Sequence, residues 1–423
     1  MKDEYWALSS TSLAHFSNDG IFLLYSSIFT YLAGPPYALN SAVLAYFAAM
    51  YALASGILSI PVGKISDSRD MDPELMSIGI LILGIAVILF AIPFSMSSSI
   101  STIDRYIFAG FGALALGLGQ AFYHPLGASI LRNSLRGKDS SFFLGLNGSF
   151  GSMGRAILFF VAGILIVSFN PFMGLLLFSS YYFVVSIVIY ITSRNLRKNR
   201  STEKRSIRKT NHLKPIKTYP GVRAFLTVLT TTIFLRSMFL MAMVTYIFTF
   251  IDSTYQNKLL SFAFLSISLV SPVLGQPFFG LLTRKFGGNI NLLLTGIISL
   301  VFFTLFIIFN GIFTLSLILF AIFAFAAFTG FPSILGFVGQ KIPAELSSRA
   351  GTWTWGIGNT VGGSAGIFIT TEFYQVLHYS LKDSLSIMLL FLLVSVFFNL
   401  FIGRFSSLLE DQYKKDKGSI NNN

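Results

Sequence analysis

Residues 9–34 of this chain have the sequence SSTSLAHFSNDGIFLLYSSIFTYLAG. It is long and apolar enough to cross a bilayer, which takes about 20 residues of α-helix. A second stretch, VTYIFTFI at residues 244–251, resembles the segment YSSIFTYL at residues 25–32. A membrane helix that recurs in the second part of the chain predicts two related helical bundles joined in one polypeptide.

The composition extends this reading to the whole chain. Of 423 residues, 54% are hydrophobic and only 11% are charged, and the mean hydropathy is +0.72. A soluble protein carries about 25% charged residues, so lipid is the main solvent predicted for this chain. The formal net charge of +13 is interpreted as basic cytoplasmic loops and not as a nucleic-acid surface. The absence of cysteine excludes disulfides and thiolate metal sites.

Hydropathy predicts an all-α polytopic membrane protein with twelve transmembrane helices in two six-helix pseudo-repeats. The predicted spans are 11–33, 41–62, 74–94, 104–127, 141–168, 171–193, 223–251, 257–281, 290–309, 312–335, 351–377 and 383–403. The dipeptides Asn-Pro at 170–171 and Asn-Gly at 310–311 predict tight turns between spans.

The predicted domains follow from one long polar segment. Residues 1–193 form an N-terminal bundle, 194–222 a basic cytoplasmic linker, 223–404 a C-terminal bundle and 405–423 a cytoplasmic tail. Two further pairs of segments support the repeat: Gly63 with Gly280, and GSFGSMGRAILF with NTVGGSAGIFIT. In all three pairs the offset is between 211 and 219 residues.

The distribution of Lys and Arg predicts the orientation. Of the 30 basic residues, only Arg105, Lys258 and Lys382 fall on the odd-numbered connections between spans. Basic residues collect on cytoplasmic loops, so we expect a multi-pass cell-membrane protein with both termini inside. The first apolar segment is too long for the core of a signal peptide and should remain as a span. The linker is interpreted as a solvated tether, with anionic lipid headgroups as an alternative contact.

Polar residues inside the spans are the candidates for binding. An ionisable group at mid-bilayer depth costs about 2.5–3.5 kcal/mol, so it should face a wet cavity or a partner. In the first span a polar stripe follows helical spacing, and the fourth and seventh spans carry further polar groups at comparable depth. The candidate substrate- and proton-binding residues are His15, Asn18, Asp19, Gln120, Tyr123, His124 and Arg236.

Specific roles can be predicted for five of these. Asp19 is expected to bind the coupling proton and, as the clearest intramembrane acid, to pair with Arg236 across the two halves. Arg236 could instead anchor an anionic substrate group or bind backbone carbonyls of a broken helix. His15 and His124 could equally form hydrogen bonds that hold helices together, and the Asn18 side chain could contribute to helix packing.

A small-residue face in the fifth span predicts close helix packing. Gly148, Gly151 and Gly154 recur at helical spacing, and Arg155 follows them directly.

The loop GKISDSRDMDPE resembles a loop motif of the major facilitator superfamily, matched here by Gly63, Asp67 and Arg69. The symmetry-related segment GLLTRKFGG retains Gly280 and Arg284 but has Thr283 in place of the acid. The resemblance implies that these loops gate the cytoplasmic side. It also implies that the first, fourth, seventh and tenth spans line a central cavity.

Three segments resemble one branch of that superfamily, the fosmidomycin-resistance type: HFSND, GLGQAFYHP and FLRSMFLMAMVTYIFTF. The branch commonly has an acid after His-Pro, where this chain has Leu126. The resemblance implies proton-coupled efflux of a drug or metabolite by alternating access, in the manner of an antiporter. The small-molecule substrate, protons and membrane lipid are then the expected partners.

Other functions remain as alternatives at this point. Proton-coupled uptake of a small organic metabolite would use the same fold, and a membrane sensor would bind without transport. A primary pump would need a nucleotide site, and no Gly-x-x-x-x-Gly-Lys-[Ser/Thr] motif occurs. An enzyme is not expected, because no catalytic motif is present. No cofactor or metal is expected, because the chain has only four histidines.

Overall fold

The computed structural model describes residues 2–69, 71–96, 100–134, 140–199, 220–329, 334, 337–338, 341–342, 350 and 352–420. All regular secondary structure in this part of the chain is helical, as the apolar segments predict for a protein in lipid. The linker prediction falls largely on residues 200–219, which lie outside the described residues.

The first six spans form the N-terminal half. Its helices are α1 (Lys2–Gly20), α2 (Leu24–Ala33), α3 (Ser41–Ser68), α4 (Asp72–Ala91), α5 (Thr102–Ser134), α6 (Ser140–Phe169) and α7 (Pro171–Ser193), with short 3₁₀ turns at Ile92–Phe94 and Arg194–Asn199.

The C-terminal half contains the remaining spans. Its helices are α8 (Pro220–Tyr255), α9 (Lys258–Ser268), α10 (Ser271–Phe286), α11 (Gly288–Ile308), α12 (Phe313–Ala327), α13 (Gly362–Thr371) and α14 (Leu381–Ile420); π-helical turns at Thr352–Val361 and Glu372–Val376 flank α13.

Nine helical segments of the described chain are long and apolar enough to cross a membrane. The predicted first, tenth and eleventh spans are the ones outside this set. The first is divided between α1 and α2, the tenth is described as a helix only over Phe313–Ala327, and the eleventh alternates π and α turns. The interruption of the first span follows its polar stripe, because α1 ends at Gly20 directly after Asp19.

The turn predictions are confirmed at both dipeptides. Asn170 has a φ of +78°, and its side chain caps α7 by accepting a hydrogen bond from Met173 N. Pro171 occupies the first helical position, where its missing N–H costs nothing. The Asn310-Gly311 turn separates α11 from α12.

Several helices continue past their predicted ends. Gly63 and Gly280 were expected to open loops, and this is wrong, because α3 runs to Ser68 and α10 to Phe286. The predicted tail at 405–423 begins inside α14, which continues to Ile420. Hydropathy marks only the apolar slab, whereas polar helix-forming residues such as Glu and Lys extend a helix into water.

Contacts between the two halves follow the sequence repeat. The hydroxyls of Thr30 and Thr249 lie 2.7 Å apart, and Ser26 donates to the carbonyl of Thr245 over 2.8 Å; in both pairs the residues are 219 positions apart. These two pairs of equivalent residues therefore lie close to a pseudo-twofold axis, which passes between the first and seventh spans. The second span also packs on the eleventh and the fifth on the eighth, as the same axis requires.

Candidate functional site

The polar stripe of α1 faces the interior of the N-terminal half. His15, Asn18 and Asp19 are all buried, with at most 5% of each residue exposed. Helices α5 and α6 pack against this face of α1, and α7 closes it from the side. The stripe is therefore lined by protein instead of lipid, as its polarity requires.

The glycines of the fifth span make room for these side chains. A Cβ atom added at Gly151 would stand 2.5 Å from His15 Nε2 and 2.8 Å from Asp19 Oδ2. One added at Gly154 would collide with the backbone carbonyl of Phe16. The predicted small-residue face is confirmed, and it brings the backbone of α6 directly against the ionisable groups of α1.

Asp19 forms a buried ion pair with Arg155. Arg155 donates from Nη2 over 2.5 Å and from Nε over 3.1 Å, both to Asp19 Oδ2. The other carboxylate oxygen accepts from the side-chain amide of Asn18 over 3.0 Å. An ion pair removed from water in this way is held by mutual attraction and by hydrogen bonds to both carboxylate oxygens.

His15 adds a further contact between α1 and α6. Its Nε2 lies 3.3 Å from Asp19 Oδ2, and its Nδ1 lies 2.9 Å from the side-chain oxygen of Asn147 on α6. The hydroxyl of Tyr123 donates to the same Asn147 oxygen over 2.7 Å, and the Tyr123 ring stacks on His15 with centroids 4.5 Å apart.

The structure brings together five of the seven predicted site residues. His15, Asn18, Asp19 and Tyr123 are in direct contact, and the His124 ring lies edge-on to His15 with centroids 5.8 Å apart. Gln120 is half-buried and makes no hydrogen bond within the described part of the chain.

Arg236 lies in a separate place, in the C-terminal half. It donates to Thr295 Oγ1 over 2.9 Å and to the carbonyls of Ala326 and Ala327 over 3.4 and 3.3 Å. The expected ion pair with Asp19 is therefore wrong. The physical reason is that Arg236 donates to carbonyls at the end of α12, while Arg155 neutralises Asp19.

The predicted gating residues are only partly described. Arg69 follows the end of α3, and Arg284 lies in the last turn of α10. Among the residues that the structure describes, a Cβ atom at Gly63 or Gly280 would meet open space, so close packing there does not account for either glycine. The side chain of Asp67 lies outside the described residues, and its gating role stays a prediction.

Two residues of the site were not predicted from the sequence, Arg155 and Asn147. A signal existed, because Asn147, Gly151 and Arg155 are spaced by four and lie on one face of the fifth span. An arginine inside a span also needs a buried partner, and Asp19 was available in the sequence.

The cluster lies at the boundary between the halves. The Arg155 guanidinium lies 5.3 Å from the ring centroid of Phe22 and 5.6 Å from that of Phe328, which belongs to the C-terminal half. The rings of His124 and Trp355 also meet across the halves, with centroids 5.9 Å apart. A change in the charge of Asp19 or His15 would therefore be felt by aromatic groups of both halves.

Comparison with known proteins gives a consistent result. The family profile described as Major Facilitator Superfamily matches residues 8–367. No curated protein matches the sequence. One similar solved structure is a bacterial homologue of the human lysosomal transporter Spinster in an inward-facing and occupied conformation. It has a TM-score of 0.67 and 11% identity, and the match covers 95% of this chain and 96% of that chain.

A second similar structure is a mutant form of the nucleoside transporter NupG. The TM-score is 0.69 at 14% identity, and the match covers 94% of this chain and 99% of that chain. At these identities the likeness establishes the all-helical fold in two halves.

Proposed function

This chain belongs to the Major Facilitator Superfamily and is a multi-pass membrane transporter. We propose that it is a secondary transporter that exchanges a small molecule for protons. The observation that carries the proposal is the buried cluster in which Asp19 lies between Arg155 and His15. In this cluster the Asp19 carboxylate lies next to an imidazole, from His15, and next to a guanidinium, from Arg155.

The geometry supports a simple form of coupling. A proton taken up by Asp19 or by its neighbour His15 offsets the negative charge that holds Arg155, so the guanidinium becomes available to a substrate in the cavity. Loss of the proton restores the ion pair, and a carboxylate is more stable when a cation lies beside it. Proton and substrate would then alternate at one cluster, and their exchange would drive the rocking of the two halves.

The contacts between the halves agree with this scheme. The hydroxyl contacts of Ser26 and Thr30 with the seventh span lie beyond the cluster, toward the end of the first span. With both termini in the cytoplasm, this end faces outside. The conformation is then closed to the outside, with Asp19 and Arg155 on the cytoplasmic side of the closure.

The direction of transport in this proposal is efflux of a drug or metabolite. It is supported by the resemblance of HFSND and GLGQAFYHP to the fosmidomycin-resistance branch. Uptake with protons would need the same residues, and a sensor would bind without transport. Transport measurements separate these three functions.

A substrate is first found by a thermal-shift screen of purified protein against metabolites and drugs, because binding stabilises by RT ln(1 + [L]/Kd). The best ligand is then added to proteoliposomes that contain a pH-sensitive dye. An antiporter should move protons opposite to the ligand, whereas proton movement with the ligand would indicate uptake. Binding without flux would indicate a sensor.

The coupling role of Asp19 has a direct test. Asp19→Asn should abolish accumulation driven by a proton gradient and leave ligand exchange partly intact. Asp252→Asn is the matched control, since Asp252 pairs with Lys258 over 2.8 Å at the far end of the seventh span. Gradient-driven transport by Asp19→Asn at the unmutated rate would refute proton binding at Asp19.

A further inference from the structure

The orientation of the Asn147 side chain can be deduced from its neighbours. The Thr11 hydroxyl lies 2.6 Å from the Ala7 carbonyl and 3.2 Å from the Leu8 carbonyl. Carbonyls only accept, so the Thr11 proton is committed to one of them. Asn147 must therefore present its NH₂ group to Thr11, at 3.3 Å, and to the Ser12 hydroxyl, at 3.4 Å.

This orientation fixes one proton of His15. With its NH₂ group on α1, Asn147 turns its oxygen toward His15 Nδ1, 2.9 Å away. An amide oxygen only accepts, so His15 Nδ1 carries a hydrogen and donates it. The Tyr123 hydroxyl, which lies 2.7 Å away, donates to the same oxygen in this orientation.

The remaining ring nitrogen of His15 faces Asp19. Nε2 and Asp19 Oδ2 lie 3.3 Å apart. Because Nδ1 is already protonated, a neutral His15 would point the Nε2 lone pair at a carboxylate, and the two would repel each other. A single proton between these two atoms converts the repulsion into a charge-assisted hydrogen bond.

We propose that the exchangeable proton of this transporter is held between His15 Nε2 and Asp19 Oδ2, and that Asn147 is the positioning residue that places it there. The proposal deepens the function proposed above and rests on it for the role of the proton in transport. It replaces a proton on Asp19 alone by a proton shared within a His15–Asp19 pair.

The other groups that face His15 support this assignment. From α5, the Tyr123 ring stacks on it and the His124 ring lies edge-on. From α6, Arg155 reaches the cluster through Asp19 Oδ2, so its positive charge keeps Asp19 ionised while His15 holds the proton. In the described part of the chain, Asp19 is the acid in contact with His15.

The position of the pair in the fold gives the proton a mechanical effect. His15 and Asp19 occupy neighbouring turns of α1, immediately before the interruption at Gly20. Proton loss would turn an attraction within the last turns of α1 into a repulsion. Because α1 ends at Gly20, the turn that carries Asp19 can rearrange without breaking the helical hydrogen bonds of α2.

The test is the protonation pattern of His15 by NMR on the full chain with ¹⁵N-labelled histidine. The chain has four histidines, and the signal missing from His15→Gln assigns His15. Couplings from the ring protons distinguish the Nδ1–H form, the Nε2–H form and the imidazolium. In the unmutated protein we expect the imidazolium at low pH and the Nδ1–H form once the proton has left.

Two results on the unmutated protein would overturn the proposal. One is a neutral His15 in the Nε2–H form. The other is a His15 that stays doubly protonated over the whole pH range in which the protein is folded. Neither depends on transport, so a failure here is distinct from a failure of the exchange mechanism.

Variants at position 147 test whether Asn147 positions the proton of His15 or only contributes to packing. Asn147→Leu removes the acceptor, so neutral His15 should change to the Nε2–H form and donate to Asp19. Asn147→Asp keeps an acceptor oxygen and should retain the Nδ1–H form. Retention of the Nδ1–H form in Asn147→Leu would show that Asn147 does not fix the proton.

Discussion

At the scale of single residues, the choice of partner for each buried charge determines what the site can do. Arg155 and Asp19 are each largely removed from solvent, with side chains 14% and 6% exposed. Their ion pair holds Asp19 from the side of α6, and His15 lies against the same carboxylate oxygen from within α1. Arg236 is held by Thr295 and by carbonyl groups, so it can keep its charge without an acid.

The Asp19–Arg155 pair makes a prediction for stability. Removal of one member of a buried ion pair costs about 3–5 kcal/mol, because the other charge stays buried and uncompensated. Asp19→Asn and Arg155→Gln should therefore each lower the thermal unfolding temperature in detergent, and the double variant should recover part of the loss. Additive losses would contradict direct pairing.

Two further cycles serve as controls. Asp252→Asn with Lys258→Gln breaks a partly exposed pair, which should be worth about 1 kcal/mol or less. Asp19→Asn with Arg236→Gln should be additive, because Arg236 contacts other groups.

At the scale of elements, the glycine face of α6 determines how closely α1 can approach. The space that Gly151 leaves is filled by the His15 ring and the Asp19 carboxylate, and the space at Gly154 by the backbone of Phe16. Close approach of helix backbones is a general source of stability between membrane helices. Here it also determines whether α6 can present Asn147 and Arg155 to α1.

Alanine substitutions test this packing. Gly151→Ala and Gly154→Ala should destabilise the protein by about 1–3 kcal/mol through overpacking, and Gly151→Ala should also perturb the NMR signal of His15. Gly145→Ala is the matched control on the same helix, because its Cβ would meet Pro277 at an ordinary 3.8 Å. Unfolding temperatures that are equal for all three variants would contradict close packing as the reason for the glycines.

At the scale of the whole molecule, the pseudo-twofold axis places equivalent residues of the two halves in contact. Thr30 meets Thr249, and Ser26 meets the backbone at Thr245. These contacts join the halves at one end of the first and seventh spans. If the halves rock during transport, the contacts must break in each cycle.

Cross-linking tests this requirement, and the native chain has no cysteine to interfere. The double variant Thr30→Cys/Thr249→Cys should form a disulfide across the halves that stops transport of the screened ligand. A reductant should then restore transport. Ser77→Cys with Ser186→Cys is the control, because these hydroxyls lie 3.0 Å apart within one half. Full transport with the bridge across the halves intact would exclude separation at this end.

The sequence alone determined the all-helical membrane fold, the twelve spans and the repeat, because each depends on local properties: apolar length, turn residues and similarity at a constant offset. It also indicated that His15, Asp19, Gln120 and His124 could meet in one part of the cavity, since polar groups in lipid must face inward; in the described part of the chain, Gln120 does not bond to the others. The partners of the buried charges were decided only by the tertiary structure. The alignment of the two repeats places Asp19 and Arg236 at a similar depth in the membrane. Depth does not determine how a helix is rotated about its axis or how far it lies from a neighbouring helix. The glycines of α6 bring Arg155 closer, and the end of α12 supplies carbonyl groups to Arg236. Such short-range contacts, and not the sequence spacing, determine which charge neutralises which.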